Sequence, residues 1–423
     1  MKYVHERQRR NQFSLFKIQN SNIVFKQTDN PDVVVDKKEI NFQNEIFKDG
    51  EETQITQIKI NEETKQIICV GNNSPHPIKV QFSMKEGTYK YEIRTEPQVI
   101  LLKKGEACEF EIFITPLCTI SINETIKLIY ANIKTGVTVD IDIPIKAETE
   151  ISTSLDPDEL IEDKKLGEGS FGVVFLGTVR GNKVAIKKMK DIQDDDSTME
   201  EFEREVAMLD KFRNDYVVYF YGAVFLPGKI CMVTEFAQYG SIRDLTMKTK
   251  DQPPKESIRV KICLDAAKGI KYLHENGILH RDIKPDNFLV VSLDENIPVN
   301  AKLTDFGSSR NVNMMMTNMT FTKGIGSPAY MAPEILNKAK YKHPADIFSF
   351  AITMFEVLSW EECYPKNQFK FPWKIAEFIV QGERRSQTED MTDAQYELIN
   401  QCWCDNPSQR LSMRDIISRL EQL

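Results

Sequence analysis

His280-Arg281-Asp282-Ile283-Lys284-Pro285-Asp286-Asn287 is the stretch on which the fold of this chain turns. It puts a carboxylate, a lysine and an amide on one short loop. Asp282 can accept a hydrogen bond from a hydroxyl, and the amide oxygen of Asn287 can ligate a divalent cation. Lys284, two residues beyond Asp282, can reach a phosphoryl oxygen. Any polar loop could hold these groups by chance, so its meaning depends on what accompanies it.

Working outward, Asp305-Phe306-Gly307 follows eighteen residues after Asn287, a carboxylate held by an aromatic and released by glycine. Beyond it comes Gly326-Ser327-Pro328-Ala329-Tyr330-Met331-Ala332-Pro333-Glu334. Far upstream stands Leu166-Gly167-Glu168-Gly169-Ser170-Phe171-Gly172-Val173-Val174. Glycines let a backbone turn tightly and bring main-chain N–H groups to phosphates. A dinucleotide fingerprint needs a helix directly after its last glycine. Here the strand-like run Val173–Val179 follows, so the loop is expected between two strands.

Fifteen residues past Gly172, Lys187 closes the apolar run Val184-Ala185-Ile186-Lys187. A lysine at a strand end is ordinarily solvated unless it has a partner. The next helix opens with Ser197-Thr198-Met199-Glu200, a capping box, and carries Phe202, Val206 and Leu209 as an apolar stripe. Glu205 falls on that stripe, where a carboxylate needs a cation. Lys187 is the candidate.

In this order and spacing the motifs resemble the protein kinase superfamily, from about Leu160 to Leu423. Gly326–Glu334, Asp346-Ile-Phe-Ser-Phe and Cys402-Trp-Cys-Asp-Asn-Pro-Ser-Gln-Arg410 carry a finer likeness to the tyrosine-kinase-like group of Raf-like and mixed-lineage kinases. The resemblance implies an α+β bilobal kinase domain over 158–423 that uses ATP and Mg²⁺ and acts on a protein substrate. It implies that Leu166, Gly167, Gly169 and Gly172 belong to the ATP-binding loop, and that Val174, Ala185 and Leu289 sandwich the adenine. Thr234 looks like the gatekeeper, and Glu235 to Ala237 the hinge. Lys187 is expected on the α/β-phosphates with Glu205 as its partner, Asn287 and Asp305 on the metal, and Asp282 as catalytic base beside Lys284. His280 under Phe306, Glu334 with Arg410, and Asp346 anchoring the catalytic loop are expected as structural contacts.

Lys284-Pro285-Asp286 resembles serine/threonine kinases, with added tyrosine activity as the alternative. Ser327 stands where the family usually has threonine, and Ala351 where it usually has glycine. Thr317, Thr320, Thr322 and Ser327 lie between Asp305 and Glu334, and phosphorylation at Thr320 or Thr322, ordered by Arg281, is the expected activating event.

The part before the kinase-like region has another texture. Cys108, Phe110, Ile112 and Ile114 alternate with Glu109, Glu111 and Phe113, and Val137, Val139, Ile141, Ile143 and Ile145 repeat the pattern. Further runs at 55–60, 66–70, 78–84, 89–93, 99–102 and 125–130 are separated by Gly-, Asn- and Pro-rich turns. About seven or eight short strands over ~95 residues predict a β-sandwich. Val70-Gly-Asn-Asn-Ser, Phe82, Lys104-Gly-Glu and Ile114-Thr-Pro resemble immunoglobulin-like sandwiches of the major sperm protein type, which implies a protein partner. The expected organisation is therefore multidomain. An N-terminal segment at 1–47, able to join the sandwich, is followed by an all-β immunoglobulin-like sandwich at 48–147, a polar linker at 148–157 and the kinase domain at 158–423.

Composition narrows the alternatives. Across 423 residues the net charge is −8, which argues against general nucleic-acid binding. Eight scattered cysteines form no CxxC pair and suit free thiols of a reducing, cytoplasmic compartment. No run approaches the ~20 apolar residues of a membrane span. Ile347–Trp360 reads as a buried helix. The basic start, Met1 to Arg10, reads as a solvated tail, with contact to an anionic membrane surface as the alternative, including as the cytosolic part of a longer receptor. A non-catalytic scaffold would have lost a lysine, base or metal ligand, and none is lost; an adaptor whose sandwich binds partners while the kinase domain is regulatory stands as the alternative.

Overall fold

The computed structural model describes residues 15–46, 54–83, 89–168, 172–189, 196–307, 309–311 and 328–423. Gly169, the basic start, Asn313–Met316 and the candidate phosphoacceptors Thr317, Thr320, Thr322 and Ser327 lie outside them. The chain divides into two compact units, Met1–Leu160 with Ala223–Ile230, and Ile161–Gly222 with Cys231–Leu423.

The first unit is built from strands β1 (Leu15–Lys17), β2 (Lys26–Gln27), β3 (Val33–Val35), β4 (Ile40–Asn41), β5 (Thr64–Asn72), β6 (Ile78–Ser83), β7 (Tyr91–Glu96), β8 (Val99–Leu102), β9 (Glu106–Pro116), β10 (Ser121–Asn132) and β11 (Thr138–Glu148). One sheet runs β1-β9-β5-β3-β2 with β7 also on β9, and the other runs β8-β6-β10-β11-β4. Side chains alternate across a strand, so a period of two sends one set inward. Cys108, Phe110, Ile112 and Ile114 are fully buried, as their alternation requires. They meet Ile78, Val80, Leu128, Ile143 and Ile145 of the other sheet in one core, an arrangement compatible with a β-sandwich. Each such aliphatic side chain contributes about 1.5–3 kcal/mol on burial.

Two details depart from the simple pattern. Val137 was expected on the inward face but is 56% exposed, because it lies in the turn before β11. Asn132 forms that turn, its carboxamide oxygen accepting from the N–H groups of Lys134 and Thr135. Val33, Val35 and Ile40, on strands too short for alternation to be read, enter the core, as does Phe42 just past β4. After β11 the chain stays hydrogen-bonded through the stretch expected as a linker. Glu150 N–H donates to Ile58 O at 2.9 Å, Thr119 N–H donates to Ser154 O at 2.8 Å, and Leu155 is buried.

In the second unit, strands β12 (Ile161–Glu168), β13 (Gly172–Val179), β14 (Asn182–Met189), β15 (Phe220–Val224) and β16 (Cys231–Glu235) form a sheet in the order β12-β13-β14-β16-β15. Helix α1 (Asp196–Lys211) carries the stripe read from sequence, with Phe202, Val206 and Leu209 all buried. The rest is largely helical: α2 (Ile242–Lys248), α3 (Glu256–Glu275), α4 (Pro333–Leu336), α5 (His343–Ser359), α6 (Pro372–Val380), α7 (Asp393–Cys402) and α8 (Met413–Leu420). Helix α5 is buried from Ala345 to Ser359, which accounts for its apolar run. No described helix is long and apolar enough to cross a membrane. Between α3 and α4 a short hairpin, β17 (Phe288–Val290) with β18 (Ala301–Leu303), follows the 280–287 loop.

Candidate active site

Strand β14 ends by delivering Lys187, and α1 lays Glu205 against it. The Lys187 Nζ lies 3.1 Å and 3.3 Å from the two carboxylate oxygens. Burial disfavours the Lys187 charge, but Glu205 and Asp305 together outweigh it and hold the ammonium above the usual lysine range. A β-carbon placed on Gly307 would stand 3.5 Å from Asp305 Oδ1 and 4.0 Å from Glu205 Oε2. The two carboxylates therefore flank the same glycine. Asp305 takes a left-handed backbone (φ 61°), which a short polar side chain tolerates better than most.

The loop at 280–287 forms a second charged centre. Lys284 Nζ donates to Asp282 Oδ2 at 2.7 Å, and the Asn287 amide nitrogen donates to the same oxygen at 3.0 Å and to Asp282 O at 2.7 Å. With its nitrogen engaged, Asn287 keeps its amide oxygen as the acceptor for a cation. The Thr304 N–H donates to Asn287 O at 2.9 Å, tying this loop to the residue before Asp305.

Asp346, fully buried at the start of α5, holds the loop from beneath. It accepts the backbone N–H groups of His280 and Arg281 at 3.0 Å and 2.9 Å, the Tyr341 hydroxyl at 2.8 Å and His274 Nε2 at 2.9 Å. Burial works to raise its pKa, but these donors and the nearby histidines prevail and keep it below the usual aspartate range. His280 packs edge-on against Phe306 with centroids 5.6 Å apart, and Glu334 forms a bidentate pair with Arg410 at 2.7 Å and 2.8 Å. Arg281 also has φ of 72°, and its Nε and Nη1 are buried without a hydrogen-bond partner among the described residues.

The remaining candidates line up along the sheet. Val174 pairs with Lys187 across β13–β14, Leu176 with Ala185, and Ala185 with Thr234 across β14–β16. Leu166 is exposed near the end of β12, Ala237 is buried, and Leu289 bridges to Ser241. Gly172 has a steric reason to be glycine, since an added β-carbon would fall 2.0 Å from Lys188 O, whereas Gly167 has nothing within 4 Å.

Two partly buried charge contacts were missed at the sequence level. Glu235 receives Lys302 Nζ at 2.7 Å. Arg243 donates to Glu356 at 3.0 Å, and Tyr330 OH donates to the same carboxylate at 3.0 Å. The signal for the second was available, because Glu356 is a carboxylate inside the otherwise apolar run of α5, the same situation that led from Glu205 to Lys187.

A family model described as protein tyrosine and serine/threonine kinase matches residues 160–420. The chain belongs to this protein kinase family. Among similar proteins, the probable serine/threonine-protein kinase gdt9 of Dictyostelium discoideum is 31% identical over 74% of this chain and 21% of its own length. The serine/threonine-protein kinase STY17 of Arabidopsis thaliana is 36% identical over 64% of this chain and 45% of its own length. The dual specificity protein kinase shkB of Dictyostelium discoideum is 35% identical over 60% of this chain and 38% of its own length. The chain spans about a fifth of the length of the first of these relatives.

Proposed function

We propose that this chain is a protein kinase that moves the γ-phosphoryl group of ATP to a serine or threonine hydroxyl of a protein substrate. The observation that carries this reading is the pair of charged centres joined through Asn287 and Thr304: Lys187 held by Glu205 beside Asp305, and Asp282 held by Lys284 and Asn287. Phosphoryl transfer asks the protein mainly for positioning and charge neutralisation. The acceptor oxygen bonds to the γ-phosphorus, the bond to the bridging oxygen breaks, ADP departs, and Asp282 takes the hydroxyl proton. Lys284 meets the transferring oxygens. Lys187 holds the α/β-phosphates, and the loop with Gly167, Gly169 and Gly172 covers them. Val174, Ala185 and Leu289 sandwich the adenine, Leu166 leads into the ATP-binding loop, Thr234 is the gatekeeper, and Glu235 to Ala237 form the hinge.

Members of this family use Mg²⁺ with ATP, and Asn287 and Asp305 are the oxygen donors that fit it here. When bound, the cation neutralises phosphate charge. The intact set of charged residues favours a catalyst over a scaffold. The names of the relatives support serine/threonine preference, and the dual-specificity kinase among them supports tyrosine as a second acceptor.

The finer affiliation is to the tyrosine-kinase-like group, with a bilobal kinase domain at 158–423. It follows a linker at 148–157 and an immunoglobulin-like sandwich at 48–147, joined by strands of the 1–47 segment, of the major sperm protein type, which binds a protein partner. Eight free cysteines support a cytoplasmic setting. Arg281, with Nε and Nη1 buried and unpartnered among the described residues, supports activation by a phosphate on Thr320 or Thr322. Transfer from labelled ATP and Mg²⁺ to a Ser, Thr and Tyr peptide library, beside Asp282→Asn, tests the activity. Equal transfer by the two proteins would remove Asp282 from the chemistry.

A further inference from the structure

Arg243 sits on α2 among groups from three other segments. Its guanidinium contacts Glu356 of α5 at 3.0 Å, Asp286 of the catalytic loop at 3.8 Å and Glu362, just past α5, at 4.0 Å. It also donates to the Tyr330 hydroxyl. Glu356 is buried and fully engaged, accepting from Arg243, Tyr330 and the Cys363 N–H at 3.0 Å. Asp286 and Glu362 differ, with side chains 46% and 53% exposed. Asp286 is the neighbour of Asn287 and lies four residues from Asp282, so this acidic rim borders the place where an acceptor hydroxyl must arrive.

Three carboxylates gathered beside a peptide-accepting loop would by themselves make a receptor for an arginine or lysine side chain. Here the cation comes from within. We propose that Arg243 is a specificity-determining residue: it fills from inside the position between Asp286, Glu356 and Glu362 that a basic substrate side chain would otherwise take. A peptide cation approaching the rim meets a guanidinium already in place, so the kinase gains little from basic residues flanking the acceptor. This inference rests on the reading of the chain as a kinase acting on peptides.

The test scans arginine against alanine at each position flanking a fixed serine. It compares kcat/KM for the unaltered chain, Arg243→Met/Glu356→Gln and Arg243→Lys, with binding of the same peptides read by fluorescence anisotropy. The double substitution removes the buried pair together and so avoids stranding a charge. The unaltered chain should show no arginine preference. The double variant should gain about tenfold for arginine at one flanking position, through KM rather than kcat, and Asp286→Asn added to it should erase the gain. Arg243→Lys should stay near the unaltered chain.

An unchanged ratio in the double variant would overturn the inference. So would a strong arginine preference in the unaltered chain, which requires no variant to fold. Should no peptide be phosphorylated by any protein, even when Thr320 and Thr322 carry phosphate, the kinase reading fails. Anisotropy then decides the selector alone, since tighter arginine-peptide binding by the double variant supports it and equal binding overturns it.

Discussion

The first unit fills its core with Val33, Ile68, Phe110, Ile112 and Leu128, and sets pairs such as Lys65–Glu111 (2.8 Å) and Arg94–Glu63 (2.6 Å) at the surface. Among its described residues the buried carboxylate Asp156 is the exception and is met by Lys90 at 2.7 Å. The second unit buries Glu205, Asp265, Asp346, Glu356 and Arg410. Charges are costly to bury and are kept only where partners meet them. Three of those carboxylates touch or brace the proposed catalytic groups: Glu205 holds Lys187, Asp346 holds the loop of Asp282, and Glu356 holds Arg243 beside Asp286. One unit is organised for persistence, the other for placing charge.

Substitutions can break this contrast or sharpen it. The largest effect is expected at Asp282→Asn, about a 10³-fold loss of kcat with an unaltered melting curve, since the change removes a proton acceptor and little packing. Lys187→Met should follow with a loss of about 10²–10³ in kcat, read in the same assay.

Effects on stability come next. Ile112→Ala in the first core should cost about 2–5 kcal/mol in denaturant unfolding, through a cavity between the sheets. Asp346→Asn should cost about 3 kcal/mol at neutral pH. Because the folded Asp346 pKa lies below its unfolded value near 3.8, its stabilisation is complete above that value and is lost as pH falls through the folded pKa. The gap between the two proteins should therefore close in acid, and a gap independent of pH would count against the anchoring role. The smallest effect is expected at Lys65→Ala, under about 0.5 kcal/mol, because its direct pair with Glu111 is exposed to solvent on both sides.

Much of this contrast could be read in the sequence. The proposed catalytic groups sit on short motifs with fixed spacing, so Lys187, Asp282, Asn287 and Asp305 were nameable without coordinates, and the carboxylate on an apolar stripe led to Glu205. Long alternating strands such as β9 announced their buried face. Short strands did not, since Val33–Val35 is too brief to show a period, and Val137 kept the period while standing in a turn. Contacts between distant segments were the hardest to see. Arg243 and Glu356 are 113 residues apart, and only the oddity of a carboxylate in α5 hinted that a cation had to come from somewhere.

The two glycines that bound the proposed phosphate loop are unequal. Gly172 admits nothing larger, while Gly167 has no described residue within 4 Å of an added β-carbon. For the chemist this asymmetry is an address. A thiol installed as Gly167→Cys would stand at the rim of the proposed nucleotide site, available to an electrophile carried on an ATP-like inhibitor, in a protein whose own cysteines are almost all buried. Mass spectrometry of the labelled variant would read a single adduct, and the enzyme could then be silenced selectively beside its unmodified relatives.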